Sequence, residues 1–211
     1  AVNNNSSYYV EKYDSELLAN QGKGLDLDGS NDHVDLGDSI EFDFQGAFTV
    51  ELWFKVDQFD ATWQALIAKS EYSWRIHRYA NSNYLAFGTT GLSSSDITAY
   101  VNVNDGQWHH VAVSYDQTIK KIYIDGQLES SQATTGTLAN RPEAVRIGNN
   151  QLNPGRNFDG KVDELRIWEV ARTDSEIEAN YNRRLQGSES GLLAYYDFED
   201  GPGSNLIDKA G

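Results

Sequence analysis

Cysteine and methionine are both absent from this chain, proline occurs only three times in 211 residues, and 17 basic residues stand against 32 acidic ones. The lack of cysteine removes disulfides, zinc–thiolate sites and cysteine nucleophiles, without fixing the compartment. With no methionine even an initiator residue is missing, so the chain is expected to be a mature or excised piece of a longer product. No apolar run approaches the roughly 20 residues of a membrane span, and no signal-peptide pattern is present. A net charge of −15 repels phosphate backbones and anionic lipid, which argues against nucleic acid and membrane insertion. It suits a divalent-cation binder, a protein of a salty medium, or plain solubility. Also missing are a Gly-x-Ser-x-Gly elbow, a phosphate loop and a His-Glu-x-x-His helix, and with them the chemistries that need those parts.

What is present is aromatic and strand-forming. Hydrophobic residues make up 39%, with 5 Trp, 12 Tyr and 8 Phe, enough for a sizeable core in one large all-β domain. Residues 1–23 are polar and rich in Asn and Ser, with only SSYYV strand-like, and are expected to pack on or lead into a single domain over 24–211. Beyond them, short alternating segments are broken by Gly, Asn, Asp and Ser. In AFTVELWFKV (47–56), Phe48, Val50, Leu52 and Phe54 alternate with Thr49, Glu51, Trp53 and Lys55. WRIHRY, NYLAFG, HHVAVSYD, KKIYIDG, AVRIGN, GKVDELRIW and GLLAYYDF keep the same period. Many short strands with regular turn signals predict an antiparallel β-sandwich or jelly roll. One helix is predicted in RTDSEIEANYNRRLQG. Thr173 and Glu176 have capping-box spacing, Ile177, Tyr181 and Leu185 lie four apart, and Gly187 stops it.

Several stretches together resemble the laminin-G-like, concanavalin A-like jelly-roll domains of bacterial secreted proteins, a superfamily that also contains the pentraxins. They are LDLDGSNDHVDLGD, FTVELWFKVD, QALIAKS, GQWHHVAVSYD, KIYIDGQL, RIGNN, FDGKVDELRIWEVART and GLLAYYDFEDGPGSNLIDKAG, in the family's order. The resemblance implies two curved antiparallel sheets and, commonly, a structural calcium ion. It implies little about activity, because such folds host lectins, adhesion units and hydrolases.

Calcium takes 6–8 hard oxygens from carboxylates and carbonyls. DGSND supplies both kinds on one turn, and the family's use of a late-strand aspartate adds Asp163. The expected ligands are the side chains of Asp28, Asp32 and Asp163, with carbonyls near Gly29 and Asn31; the alternative is a metal-free Asx turn. Asp26 and Asp35 alternate with Leu25, Leu27, Val34 and Leu36 and are expected to face solvent.

A glycosidase needs two carboxylates about 5–10 Å apart across the sugar. Glu41 with Asp43 and Asp197 with Glu199 have the two-residue spacing, but neither series is completed. A catalytic role is therefore not expected. His109 and His110 beside Trp108 are expected to brace the sheet. Glu51, Glu164, Arg166 and Trp168 share strand faces and read either as a sugar-binding floor or, preferred, as a structural layer of ion pairs and aromatics.

A ligand site is expected on rim loops. Pentraxins, distant relatives by fold, bind through two stretches that correspond here to KSEYSWR and GNNQLNPGRN. The candidates are Glu71, Tyr72, Trp74, Arg75, His77, Tyr79, Asn149, Asn150, Gln151 and Arg156, with aromatic faces for sugar C–H surfaces and amides or guanidinium groups for hydroxyls. The second loop has no acid, so a ligand-bridging calcium is not expected there. Arg75 and His77, on one strand face with Tyr79, would favour an anionic group such as a uronate or sulfate. Three readings stay open. The first is a calcium-stabilised, non-catalytic carbohydrate-binding module of a secreted or cell-surface multidomain protein, its partner a carbohydrate, anionic polysaccharides included. The second is a structural or adhesion module binding a cell-surface protein, and the third a glycoside-active enzyme.

Overall fold

The computed structural model describes residues 7–11, 22–200 and 206–211, the first of these by its backbone. The expected packing of the N-terminal segment otherwise lies outside the described residues. Among the described residues fourteen strands follow in chain order: β1 Ser7–Glu11, β2 Gly22–Asp28, β3 Val34–Gly37, β4 Phe48–Gln58, β5 Ala65–Lys69, β6 Trp74–Arg78 and β7 Leu85–Thr89. After these come β8 Asp96–Ala99, β9 Trp108–Tyr115, β10 Ile119–Ile124, β11 Gln127–Ala133, β12 Val145–Ile147, β13 Asp159–Trp168 and β14 Leu192–Tyr196. A 3-10 turn covers Ile40–Phe42 and one α-helix, α1, covers Asp174–Asn180.

The strands form two antiparallel sheets. One has eight strands in the order β1-β2-β13-β4-β9-β10-β11, with β14 paired to β13; the other has six, β3-β12-β5-β6-β7-β8. This is the antiparallel jelly-roll sandwich that the period of two predicted. Phe48, Val50, Leu52 and Phe54 of β4 all point into the core with Val113, Ile122 and Ile167, against Trp74, Ile76 and Phe87 of the other sheet. Each such side chain contributes about 1.5–3 kcal/mol of burial. The β10–β11 hairpin turns on Asp125 and Gly126, with φ of 50° and 78°, the pair of left-handed positions that a two-residue turn needs and Asp-Gly supplies.

Two departures from the sequence reading affect the functional surface. Helix α1 begins as expected, with Thr173 accepting from Glu176 N and the Glu176 side chain returning to the cap. It ends seven residues later instead of running to Leu185. Buried donors capture the carbonyls that follow: Arg166 donates to Asn180 O and Arg183 O, and Trp53 Nε1 to Tyr181 O. Second, β13 contains a bulge between Asp163 and Arg166, where Glu164 sits at a φ of 52°. The extra residue turns both Asp163 and Glu164 away from the core while Val162 and Leu165 stay in it.

Candidate functional site

Three polar regions contain most of the residues singled out from the sequence. The first is the outer face of the eight-stranded sheet, which the C-terminal segment roofs over. Arg166, fully buried, lies 3.0 Å from Glu164 Oε2 and 3.7 Å from Glu51 Oε1. Trp168 Nε1 donates to Glu51 at 2.9 Å, and Tyr195 Oη donates to Glu164. Burial alone would raise the Glu51 carboxyl, but the contact with His110 and the charge of Arg166 hold it down at about 2. His110, 3.5 Å from Glu51, packs on Trp53 and Tyr181, and His109 bridges Asp125 and Asp105. These residues form the structural layer preferred above, with no opening for a sugar. Neither carboxylate pair considered for catalysis is free: Asp43 pairs with Lys69, Glu199 with Arg184 and Asp197 with Lys209.

The second region is the Asp28–Asp32 turn. The register sets Asp159, and not Asp163, opposite Asp28. Asp163 lies four residues further along β13, opposite Trp53, buried and bonded to Glu164 N. Its expected place with the turn is therefore corrected: a strand rises about 3.3 Å per residue, which carries Asp163 well away. Asp159 packs over the turn instead. A Cβ on Gly29, whose φ is 71°, would stand 2.8 Å from Asp159 Cβ. Asp32 is buried; its Oδ2 accepts from Asp28 N at 3.3 Å, and its Oδ1 has no hydrogen-bond partner in the protein. Asp28 and Asn31 are exposed, Asp28 Oδ1 accepts from Ser30 N, and Asn157 fastens Ser30 O to the loop before β13. Asp26 and Asp35 are half-exposed and bound to Lys161 and Arg146, so they are not simple solvent-facing residues. Burial, then the charges of Asp57, Asp60, Asp28 and Asp26, raise the Asp159 carboxyl. Among the described residues no three His, Asp or Glu side chains group closely enough to hold a metal by themselves. The orphaned Asp32 oxygen and the crowded Asp159 fit a hard cation whose remaining oxygens come from carbonyls.

The third region is the rim and outer face of the six-stranded sheet, where the two predicted loops meet. Glu71 Oε2 accepts from Asn150 at 2.9 Å, Asn153 at 3.3 Å and Arg156. The acid missing from the second loop thus arrives from the first. These groups largely satisfy one another, and Asn149 and Asn150 are buried. Gln151 is exposed, and its Oε1 accepts from Ala144 N. Tyr72 is 49% exposed beneath the Arg141 guanidinium, 5.5 Å from its ring centre.

Trp74 is not a ligand residue. It is fully buried, packs against the stacked rings of Phe44 and Phe48, and donates to Phe42 O. Its alternation with Ile76 was the available signal, since both point to the core. Arg75 and His77 do lie on the outer face with Tyr79, but both are buried. Arg75 lies over Gly88, donates to Glu71 O at 2.9 Å and pairs with Asp96 at 3.4 Å. Burial, then the charge of Arg75, push the His77 imidazole down to about 3, so it is neutral. Arg75 thus serves the fold and is no open oxyanion seat.

The sequence reading missed an aromatic group around Tyr79. Trp63 lies 5.5 Å from Tyr79 and 5.4 Å from His77, ring to ring, and Tyr84 lies 5.6 Å from Tyr100. Tyr100 is 73% exposed and Tyr79 36%. Tyr84 and Tyr100 could have been found as the positions that continue the outward face of their strands.

The Laminin_G_3 family model, described as the concanavalin A-like lectin/glucanases superfamily, matches residues 28–178. Pappalysin-1 of Mus musculus is 32% identical over 93 residues, which is 42% of this chain and 6% of that protein. A Bacteroides ovatus protein assigned a carbohydrate-binding role superposes with a TM-score of 0.73 at 23% identity, over 89% of this chain and 55% of that one. Domain 4 of the extracellular arabinanase AbnA of Geobacillus stearothermophilus, solved with arabinotriose, superposes with a TM-score of 0.60 at 23% identity, over 83% and 87%. The chain spans only a small part of the length of the curated relatives it matches.

Proposed function

The chain belongs to the concanavalin A-like lectin/glucanases superfamily, and on that premise we propose that it is a calcium-stabilised, non-catalytic carbohydrate-binding module of a larger extracellular protein. The observation that carries this reading is the contrast at the rim. Tyr72, Tyr79 and Tyr100 stand open around the six-stranded sheet, while each carboxylate pair considered for catalysis has at least one acid engaged in an ion pair. Exposed rings receive the apolar faces of sugars, and a hydrolase would need two unengaged acids across a cleft. The arabinotriose complex of AbnA domain 4, on a similar fold, agrees with a binding role. Calcium belongs at the Asp28–Asp32 turn, held by Asp28, Asp32 and Asp159 with carbonyls of the turn, where it would tie β2 to the start of β13.

Glycan-array binding of the purified chain, with release of reducing ends measured in parallel, tests the proposal. Saturable binding to a glycan without release is the expected result. Release would reinstate the enzyme reading, and no glycan binding at all would leave the adhesion reading in its place.

A further inference from the structure

Resting on that carbohydrate-binding reading, we infer that the sugar platform is the ring group at the β6–β7–β8 end of the six-stranded sheet, and that it takes an uncharged polysaccharide. The Tyr72 loop pair at the other end is not the platform.

The register brings the rings together. Arg78 faces Leu85 and Leu85 faces Ala99, so the next positions outward are Tyr79, Tyr84 and Tyr100, on three adjacent strands. Tyr79 N donates to Tyr84 O at 2.8 Å, which carries the pairing past the strand ends. Residues that share this parity point away from the core, as Arg75 and His77 do. Trp63 joins from the loop before β5, fixed by its N–H to Ala80 O at 3.2 Å. The two ring pairs meet edge to face, at 84° and 69° between planes, so each pair leaves ring faces that its own contact does not use. A row of such faces across several strands is wide enough for a chain and not only a terminal sugar. The rim beside it bears amides. Asn81, Asn83 and Asn102 are exposed, and Asn104 Nδ2 reaches Asn83 Oδ1 at 3.2 Å. Amides donate to and accept from hydroxyls.

Charge selects the ligand class. From Tyr79 to Gln107, which carries β7, β8 and their loops, there is no lysine or arginine, while Asp96 and Asp105 fall in that stretch. Arg75, on the same face, is already held by Asp96 and Glu71 O. Arg75 and Arg78 are both buried, and Arg78 is held by the carbonyls of Ala61 and Ser82, so a uronate or sulfate would find neither guanidinium open, whereas an uncharged chain needs none. At the opposite end, one face of Tyr72 carries Arg141, and Glu71, Asn150, Asn153 and Arg156 bind each other.

Affinity electrophoresis of the whole chain tests the inference in gels of laminarin, linear arabinan, xyloglucan and inulin, and in gels of alginate, polygalacturonate and heparin. Tyr100→Ala, Tyr79→Ala and Tyr72→Ala run beside the unaltered chain, and melting curves confirm that each variant is folded. At least one uncharged polymer is expected to retard the chain, with affinity down about fivefold in Tyr100→Ala, the size of one lost ring contact. Tyr72→Ala should stay within about twofold. Retardation by the acidic polymers alone, or its loss in Tyr72→Ala with Tyr100→Ala unchanged, overturns the inference and leaves the carbohydrate reading standing. Retardation in no gel overturns that reading and the inference together.

Discussion

The acids behind the eight-stranded sheet and the acids where β2 ends and β13 begins are of one chemical kind, yet the protein holds them in opposite ways. Behind the sheet, Glu51 and Glu164 share the buried Arg166, with Trp168, Tyr195 and Arg184 completing their contacts. At the strand end, Asp28, Asp57, Asp60 and Asp159 crowd together, and Lys161 pairs with Asp26 and Asp57. The first group brings its own counter-charge from across the fold and becomes part of the core. The second repels itself and fits a cation from solution. A net charge of −15 is therefore not one property of this molecule. It is balanced in one place and concentrated in another.

The comparison can be broken in three ways. The largest effect is expected from Arg166→Ala, which leaves two buried carboxylates without their shared cation. The loss should be about 3–5 kcal/mol in urea unfolding. A loss under about 1 kcal/mol would mean that the layer is solvated and not a closed ion-pair network. Next comes calcium at the strand end. At one hundred times its dissociation constant the ion should add about 2.7 kcal/mol, seen as a higher Tm than in chelator. Asp32→Asn and Asp159→Asn should abolish that rise, while Asp163→Asn should keep it. An unchanged Tm in chelator would remove the ion from this strand end.

The smallest effect is a pH dependence within the layer itself. Burial, then the charge of Glu164, raises the Asp163 carboxyl well above its usual range, and burial raises Glu164. Such groups cost stability while ionised, and the cost disappears as pH falls through their folded values. Glu51 acts in reverse. Its contribution is complete above its unfolded value of 4.5 and is lost as pH falls toward about 2. Tm is thus expected to rise as neutral solution is made mildly acid, then fall below about pH 4.5. Asp163→Asn should raise Tm at neutral pH and flatten the first limb. A Tm that falls steadily from neutral pH, equally in both proteins, would show that Asp163 is ionised without cost.

Much of the fold was legible in the sequence because strand alternation is local. Phe48, Val50, Leu52 and Phe54 signal an inward face wherever the strand ends up. Thr173 and Glu176 signal a helix start for the same reason, since a cap involves only its own turn. The helix end was not legible, because Arg166 and Trp53 withdraw its carbonyls from far along the chain. The candidate site was legible in part. Alternation set Arg75, His77 and Tyr79 on one face, and the two rim loops do meet at Glu71. That Arg75 and His77 are covered depends on Asp96 and Trp63, neither of which is their neighbour in sequence.

By itself, the sequence determined the class of fold, the inward faces and the acidity of the chain, all of which follow from composition and short-range periodicity. The tertiary structure alone decided which outward faces stay outward. It roofed Glu51 and Arg166, set Asp159 and not Asp163 beside the Asp28–Asp32 turn through the register of β2 and β13, and left the rings of Tyr79 and Tyr100 open. The reason is physical: exposure and ion pairing are set by contacts between residues distant in sequence, which a two-residue period cannot encode.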